Sequence, residues 1–159
     1  MLNLYLITKN LLFMNTKNIV IGGLVAGVVY FLLCWLVYGN LMSDFFMKHH
    51  GAISDAALKE VGRGEELIWS FAIANLGAGT LLAFVFDRSG IRNFAAGLVT
   101  GAIIGCLMAI SFDFAHYGMF NLMDKNAVVG DILAFTVISA IAGAICGMVL
   151  GKTGGKAIA

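Results

Sequence analysis

The stretch Gly97-Leu98-Val99-Thr100-Gly101-Ala102-Ile103-Ile104-Gly105 opens a long apolar run that ends at Asp113, His116 and Tyr117. Its glycines recur every fourth residue. On a helix they share one face and let a second backbone approach closely, as in membrane helix packing. The ionisable groups at the far end of that helix would then stand in or beside lipid, where such side chains are costly and tend to serve function. The fold therefore turns on whether this helix lies in a membrane.

Composition decides for the membrane. The chain is 60% hydrophobic and 12% charged with a mean hydropathy of +0.94, whereas a soluble domain carries about one-quarter charged residues. Its 159 residues suffice for one domain. A net charge of +1 argues against a nucleic-acid partner, which selects a basic face. Twenty glycines would weaken soluble helices, at about 1 kcal/mol each relative to alanine. In lipid, glycine-rich helices pack closely at little penalty. The first expected partner is thus the lipid bilayer.

Four charge-free runs, Ile19 to Tyr38, Leu67 to Phe86, Phe94 to Phe112 and Ile132 to Gly151, mark spans near 19–40, 67–86, 94–117 and 131–151. Runs of about 20 residues cross a hydrocarbon core of about 30 Å. The expected fold class is all-α, a polytopic four-helix bundle occupying 18–152 with a cytoplasmic tail at 153–159. Trp35, Tyr38, Phe45, Phe46, Trp69, Tyr117 and Phe120 gather near span ends, where amphipathic rings settle. In the polar segment Leu41 to Glu66, Ser54-Asp55 can start a short solvated helix that Gly62 ends. Residues 1–17 do not read as a signal peptide. They are either an interfacial segment or sequence upstream of a natural start at Met14, the second being preferred.

Lys9, Lys17, Arg88, Arg92, Lys152 and Lys156 share one side of this topology, and Lys48, Lys59, Arg63 and Lys125 the other. The positive-inside rule then places both termini in the cytoplasm. A faint repeat supports two tandem parallel helix hairpins: Gly23-Leu24-Val25-Ala26-Gly27 echoes Gly97-Leu98-Val99-Thr100-Gly101, and Tyr38-Gly39 echoes Tyr117-Gly118. A true duplication would pack about a pseudo-two-fold axis along the membrane normal.

Helix-packing candidates are Gly23 and Gly27, then Gly97, Gly101 and Gly105, then Gly143 and Gly147 with Gly151 beyond. They either close helices within one molecule or face a second protomer or partner protein. A ligand or proton site is suggested by Asp113, with His116 and Tyr117 three and four residues on, and by Asp131 across a short loop. Two carboxylates and an imidazole could bind a cation or relay a proton. Against this, Asp131 could simply cap the fourth helix. Asn75 and Ser139 match in depth, and could either bond between helices or line a route. The histidine pair His49-His50 is a weak metal candidate, and Cys34, Cys106 and Cys146 match no zinc or redox spacing. No nucleophile motif, phosphate loop or dinucleotide fingerprint occurs. No catalytic residue, resident metal or cofactor is expected.

With the four spans and Trp35-Leu36-Val37-Tyr38-Gly39 in place, the chain resembles a family of small bacterial inner-membrane proteins known as a domain of unknown function. The resemblance runs from about Asn18 to Lys152 and rests on four spans, the aromatic and Tyr-Gly end of the first, the polar segment and the glycine-bearing third. It implies a multi-pass inner-membrane protein and no functional residue. The leading functional expectation is a non-enzymatic component that assembles with itself or a partner through glycine faces. Its competitor is a small transporter or ion-coupled carrier using the Asp/His cluster near the outer face.

Overall fold

The computed structural model describes residues 15–63 and 67–153. The extension before Asn15, with its two readings, and the tail after Thr153 lie outside the described residues. Helix α1 (Thr16–Leu36) starts where the Asn15 side chain accepts the Asn18 N–H at 3.3 Å, and it continues into a π-helical turn, Val37–Leu41. Two short helices follow, α2 (Ser43–Lys48) and α3 (Asp55–Val61), the second capped by Ser54 and ended at Gly62. Helix α4 (Ile68–Ser89) stops at Gly90, whose φ of 68° is the left-handed conformation that glycine adopts without a Cβ penalty. Asn93 starts α5 (Phe94–Met119) by accepting the Ala96 N–H at 2.9 Å.

Asp124 starts α6 (Lys125–Thr153), its carboxylate accepting the N–H groups of Asn126 and Ala127, each at 2.8 Å. This corrects the expected start of the fourth helix and the role offered for Asp131. The helix begins earlier, Asp124 does the capping, and Asp131 lies about 9 Å inside at 1.5 Å per residue. A cap therefore does not explain Asp131.

The protein is an all-α integral membrane protein: α1 with its π turn, α4, α5 and α6 are each long and apolar enough to cross a bilayer. Outward faces carry Trp35, Ile73, Leu107, Phe112 and Leu133, each at least 60% exposed. Water would not tolerate so large an apolar belt on a monomer, whereas lipid tails contact it at no cost.

Two antiparallel hairpins build the bundle, α1 with α4 and α5 with α6. In the first, Gly23 and Gly27 meet Thr80 and Leu76, while Gly79 lies against the backbone of Gly23 and Gly27. In the second, Gly97, Gly101 and Gly105 interleave with Gly143, Ser139 and the Phe135 carbonyl, and Gly147 sits against Asn93. A side chain at Gly97 or Gly143 would strike the carbonyl of the other, which is why neither position carries one. Of the eight packing candidates, seven are buried inside the chain, and Gly151 at the end of the stripe is exposed but packs on Arg92.

The hairpins meet along α1 and α6, where Ala26, Tyr30, Ile138, Ala142, Cys146 and Leu150 form the core with Leu82, Ala83 and Phe86 of α4. By contrast α4 and α5 scarcely touch. A two-fold axis relating the hairpins would make that pair a copy of the α1–α6 contact. The hairpins are present, but their packing does not follow the pseudo-symmetry expected from the repeat. The row α4–α1–α6–α5 stays open on one side.

Each end of the bundle is tied by polar groups. At one, Arg92 pairs with Asp87 at 2.6 Å, and Asn15 and Asn18 reach the same carboxylate at 3.4 Å. Gly151 packs on Arg92, so the start of α1 and the end of α6 share this side. At the other, His49 pairs with Asp124 at 2.9 Å, the Asn121 side chain accepts the Ala52 N–H at 3.2 Å, and His50 bridges to Met123.

Candidate functional site

The α5–α6 hairpin determines which polar groups meet. Asp113 precedes the end of α5 by as many residues as Asp131 follows the start of α6. The short loop therefore sets both carboxyl groups at one level, about 9 Å from the helix ends. They lie against each other, within reach of a side-chain hydrogen bond. Asp113 is only 7% exposed, and its Oδ2 is buried with no hydrogen-bond partner among the described residues. Leaving such an acceptor bare costs about 1–3 kcal/mol, and more if it is charged.

Asn75 arrives at the same depth from α4, about 10 Å from the start of that helix. Its Nδ2 donates to the Phe71 carbonyl at 2.8 Å, which leaves the amide oxygen for another donor. Asn75, Asp113 and Asp131 line one groove of about 410 Å³ between α4, α5 and α6. The other walls are apolar, among them Ala78, Leu81, Met108, Phe112 and Phe135. This groove exists because α4 and α5 stay apart.

His116 and Tyr117 do not join the pair. The His116 ring engages the Phe112 carbonyl through Nδ1 at 2.8 Å and tilts against Phe120 at 5.9 Å, and both His116 and Tyr117 are exposed. Ser139 is also elsewhere. It is fully buried opposite Gly105 and beside Tyr30, and its Oγ forms no well-shaped hydrogen bond. Of the deeper hydroxyls, Thr80 and Thr136 donate to carbonyls of their own helices at 2.7 and 2.6 Å.

Two phenols have a role the residue order does not show: Tyr38 near the carboxyl pair and Tyr30 about two turns deeper. Tyr38 lies near Asp131 without forming a well-shaped hydrogen bond to it. The π turn that aims it has no signature in Val37-Tyr38-Gly39-Asn40-Leu41, so Tyr38 reads as one more interfacial ring. Tyr30 stacks on Phe135 at 5.9 Å and reaches Ser139. The available signal was its phenol, a polar group near the middle of an otherwise apolar span.

Among the described residues no three His, Cys, Asp or Glu side chains converge as a metal site. His49 is engaged by Asp124 and His50 by the Gly51 carbonyl. The His49 contact, followed by the Ala127 and Asn126 N–H groups, holds the Asp124 carboxyl below its ordinary value. What the groove offers is a pair of carboxyl groups, one amide oxygen and apolar walls. Comparison with family models, with curated proteins and with solved structures finds no match to this chain.

Proposed function

We propose that this protein is a small cation- or proton-coupled carrier whose working group is the Asp113–Asp131 pair. The observation that carries the reading is the buried Asp113 carboxyl, one oxygen bare, lining a groove at membrane depth. Intramembrane acids are kept where they move or bind charge. Two adjacent carboxyl groups can share one proton and exchange it for one monovalent cation with no change in the charge of the site. That equality suits a coupled carrier, because neither loading step strands extra charge in lipid. Asn75 contributes a neutral acceptor to the groove, and Tyr38 lies near Asp131. The hairpins contact each other mainly through α1 and α6, so rocking about that seam would widen or narrow the groove.

The compartment belongs to the same proposal. The side bearing Lys17, Arg88, Arg92 and Lys152 faces the cytoplasm, and the resemblance to small bacterial inner-membrane proteins supplies the membrane. Assembly with a second copy or a membrane partner is the competing proposal. The glycines offered for it pack against other parts of the same chain, so such an interface would use other residues.

Proteoliposomes enclosing a pH-sensitive dye provide the test. A gradient of sodium, potassium or an organic ammonium ion should drive proton movement in the wild type and not in Asp113→Asn. Equal traces from the two proteins would end the carrier reading.

A further inference from the structure

Resting on the same carboxyl pair, the ligand class can be narrowed from the walls of the groove. We infer that the site takes an organic ammonium ion with an apolar body, admitted sideways from the lipid between α4 and α5. Charge complementarity favours a cation, and the donor count selects among cations. Calcium and magnesium need six or more oxygens, or a retained water shell. Two carboxyl groups and one amide do not supply that, and the remaining walls are aliphatic or aromatic. An ammonium N–H needs one acceptor; Asp113 Oδ2, now covered beside Asp131, becomes that acceptor when the walls of the groove part.

The body of the ligand finds matching surface. Phe112 and Phe135 line the groove with the carboxyl pair, and aromatic rings in such a lining can add to the binding of a cation. At about 410 Å³ the groove falls in the range of small-molecule sites, roughly 300–1,000 Å³. Its rim includes Leu81 at 41% and Phe112 at 60% exposure, and both point where lipid tails would be. Gly77 lies on the same rim, and a Cβ there would meet nothing within 4 Å. The gap is thus open to a solute dissolved in the bilayer. The same chemistry is carried by a free arylalkylamine and by the ammonium head of an ethanolamine lipid.

Phenethylammonium is the probe, measured for saturable binding to the full chain in nanodiscs of phosphatidylcholine. Wild type should bind it. Asp113→Asn should lose about tenfold or more, the scale of one charge-assisted hydrogen bond. Gly77→Leu leaves every carboxyl in place and fills the rim, so it should weaken binding as well. Gly77→Ala fits the open space and reports that α4 still folds and binds. Nanodiscs containing phosphatidylethanolamine separate the two sources: competition by the lipid assigns the site to the headgroup, and its absence assigns it to free amines. No saturable binding to wild type, equal affinity in Asp113→Asn, or displacement by magnesium alone would overturn the inference. If inorganic cations drive Asp113-dependent proton exchange while the amine fails to bind, this inference falls and the carrier reading stands. If the amine binds and no cation drives exchange, the carrier reading falls and this inference stands.

Discussion

Replacing Asp113 by leucine should make the protein more stable and inactive at once. The wild-type carboxyl has a bare Oδ2 on a side chain whose residue is only 7% exposed. A buried acceptor without a partner costs about 1–3 kcal/mol. Against this stands the contact with Asp131, which as an interhelical hydrogen bond in a membrane is worth about 0.6 kcal/mol on average. The difference favours leucine by about 0.4–2.4 kcal/mol, a factor of roughly 2–60 in the folded-to-unfolded ratio. The adjoining groove gives the larger side chain room, so overpacking does not reverse the sign. Unfolding in bicelles, followed by titration with a denaturing detergent, measures the change, and the proteoliposome assay measures the lost exchange. Destabilisation by more than about 1 kcal/mol, the scale of a structural hydrogen bond, would refute the reasoning. Asp113 would then be a structural group and its bare oxygen no sign of function.

Gly143→Val should drive the α5–α6 hairpin apart, since its Cβ alone would strike the Gly97 carbonyl and approach Gly101 Cα at 2.8 Å. Overpacking of this kind costs about 1–3 kcal/mol, occasionally more; size-exclusion profiles should show aggregation there and none for Gly118→Ala, which has open space. Arg92→Met leaves the Asp87 side chain 4% exposed without its cation. Because Arg92 is itself 31% exposed, the loss should fall near or below the lower end of the about 3–5 kcal/mol typical of a broken buried pair. Thermal unfolding in detergent reads it. At the other end, the lowered Asp124 carboxyl contributes stability that is present above its ordinary value of 3.8 and is lost as pH falls through the lower folded value. Amide exchange across residues 121–126 should therefore quicken only in that acid range, and Asp124→Asn should quicken it already at neutral pH.

The spans were legible because burial in lipid writes its length requirement directly into composition. Each of the four apolar runs became one long helix, and the glycine stripes landed at backbone contacts that only glycine permits. Local chemistry near the helix ends was harder. Asp131 reads as a cap because the charge-free run begins directly after it at Ile132, whereas Asp124 captures the amides earlier and extends the helix. A short loop is enough to suggest from sequence that Asp113 and Asp131 approach each other, and the structure sets them at one level because each lies six residues from its helix end. The choice of third partner depends on side-chain direction, and there spacing misleads: His116 shares a helix with Asp113 yet bonds its own backbone. Tyr38 and the opening between α4 and α5 depend on a π turn and on which helices do not touch. Neither leaves a mark in residue order.

The central claim is that the Asp113–Asp131 pair trades a proton for a cation. The most direct measurement is proton release from the purified protein in weakly buffered detergent solution as the cation is added, followed with a soluble pH dye. Wild type should release protons in proportion to bound cation, and Asp113→Asn should release none. A wild type that binds cation without releasing protons, or an Asp113→Asn protein that releases as many, would contradict the account.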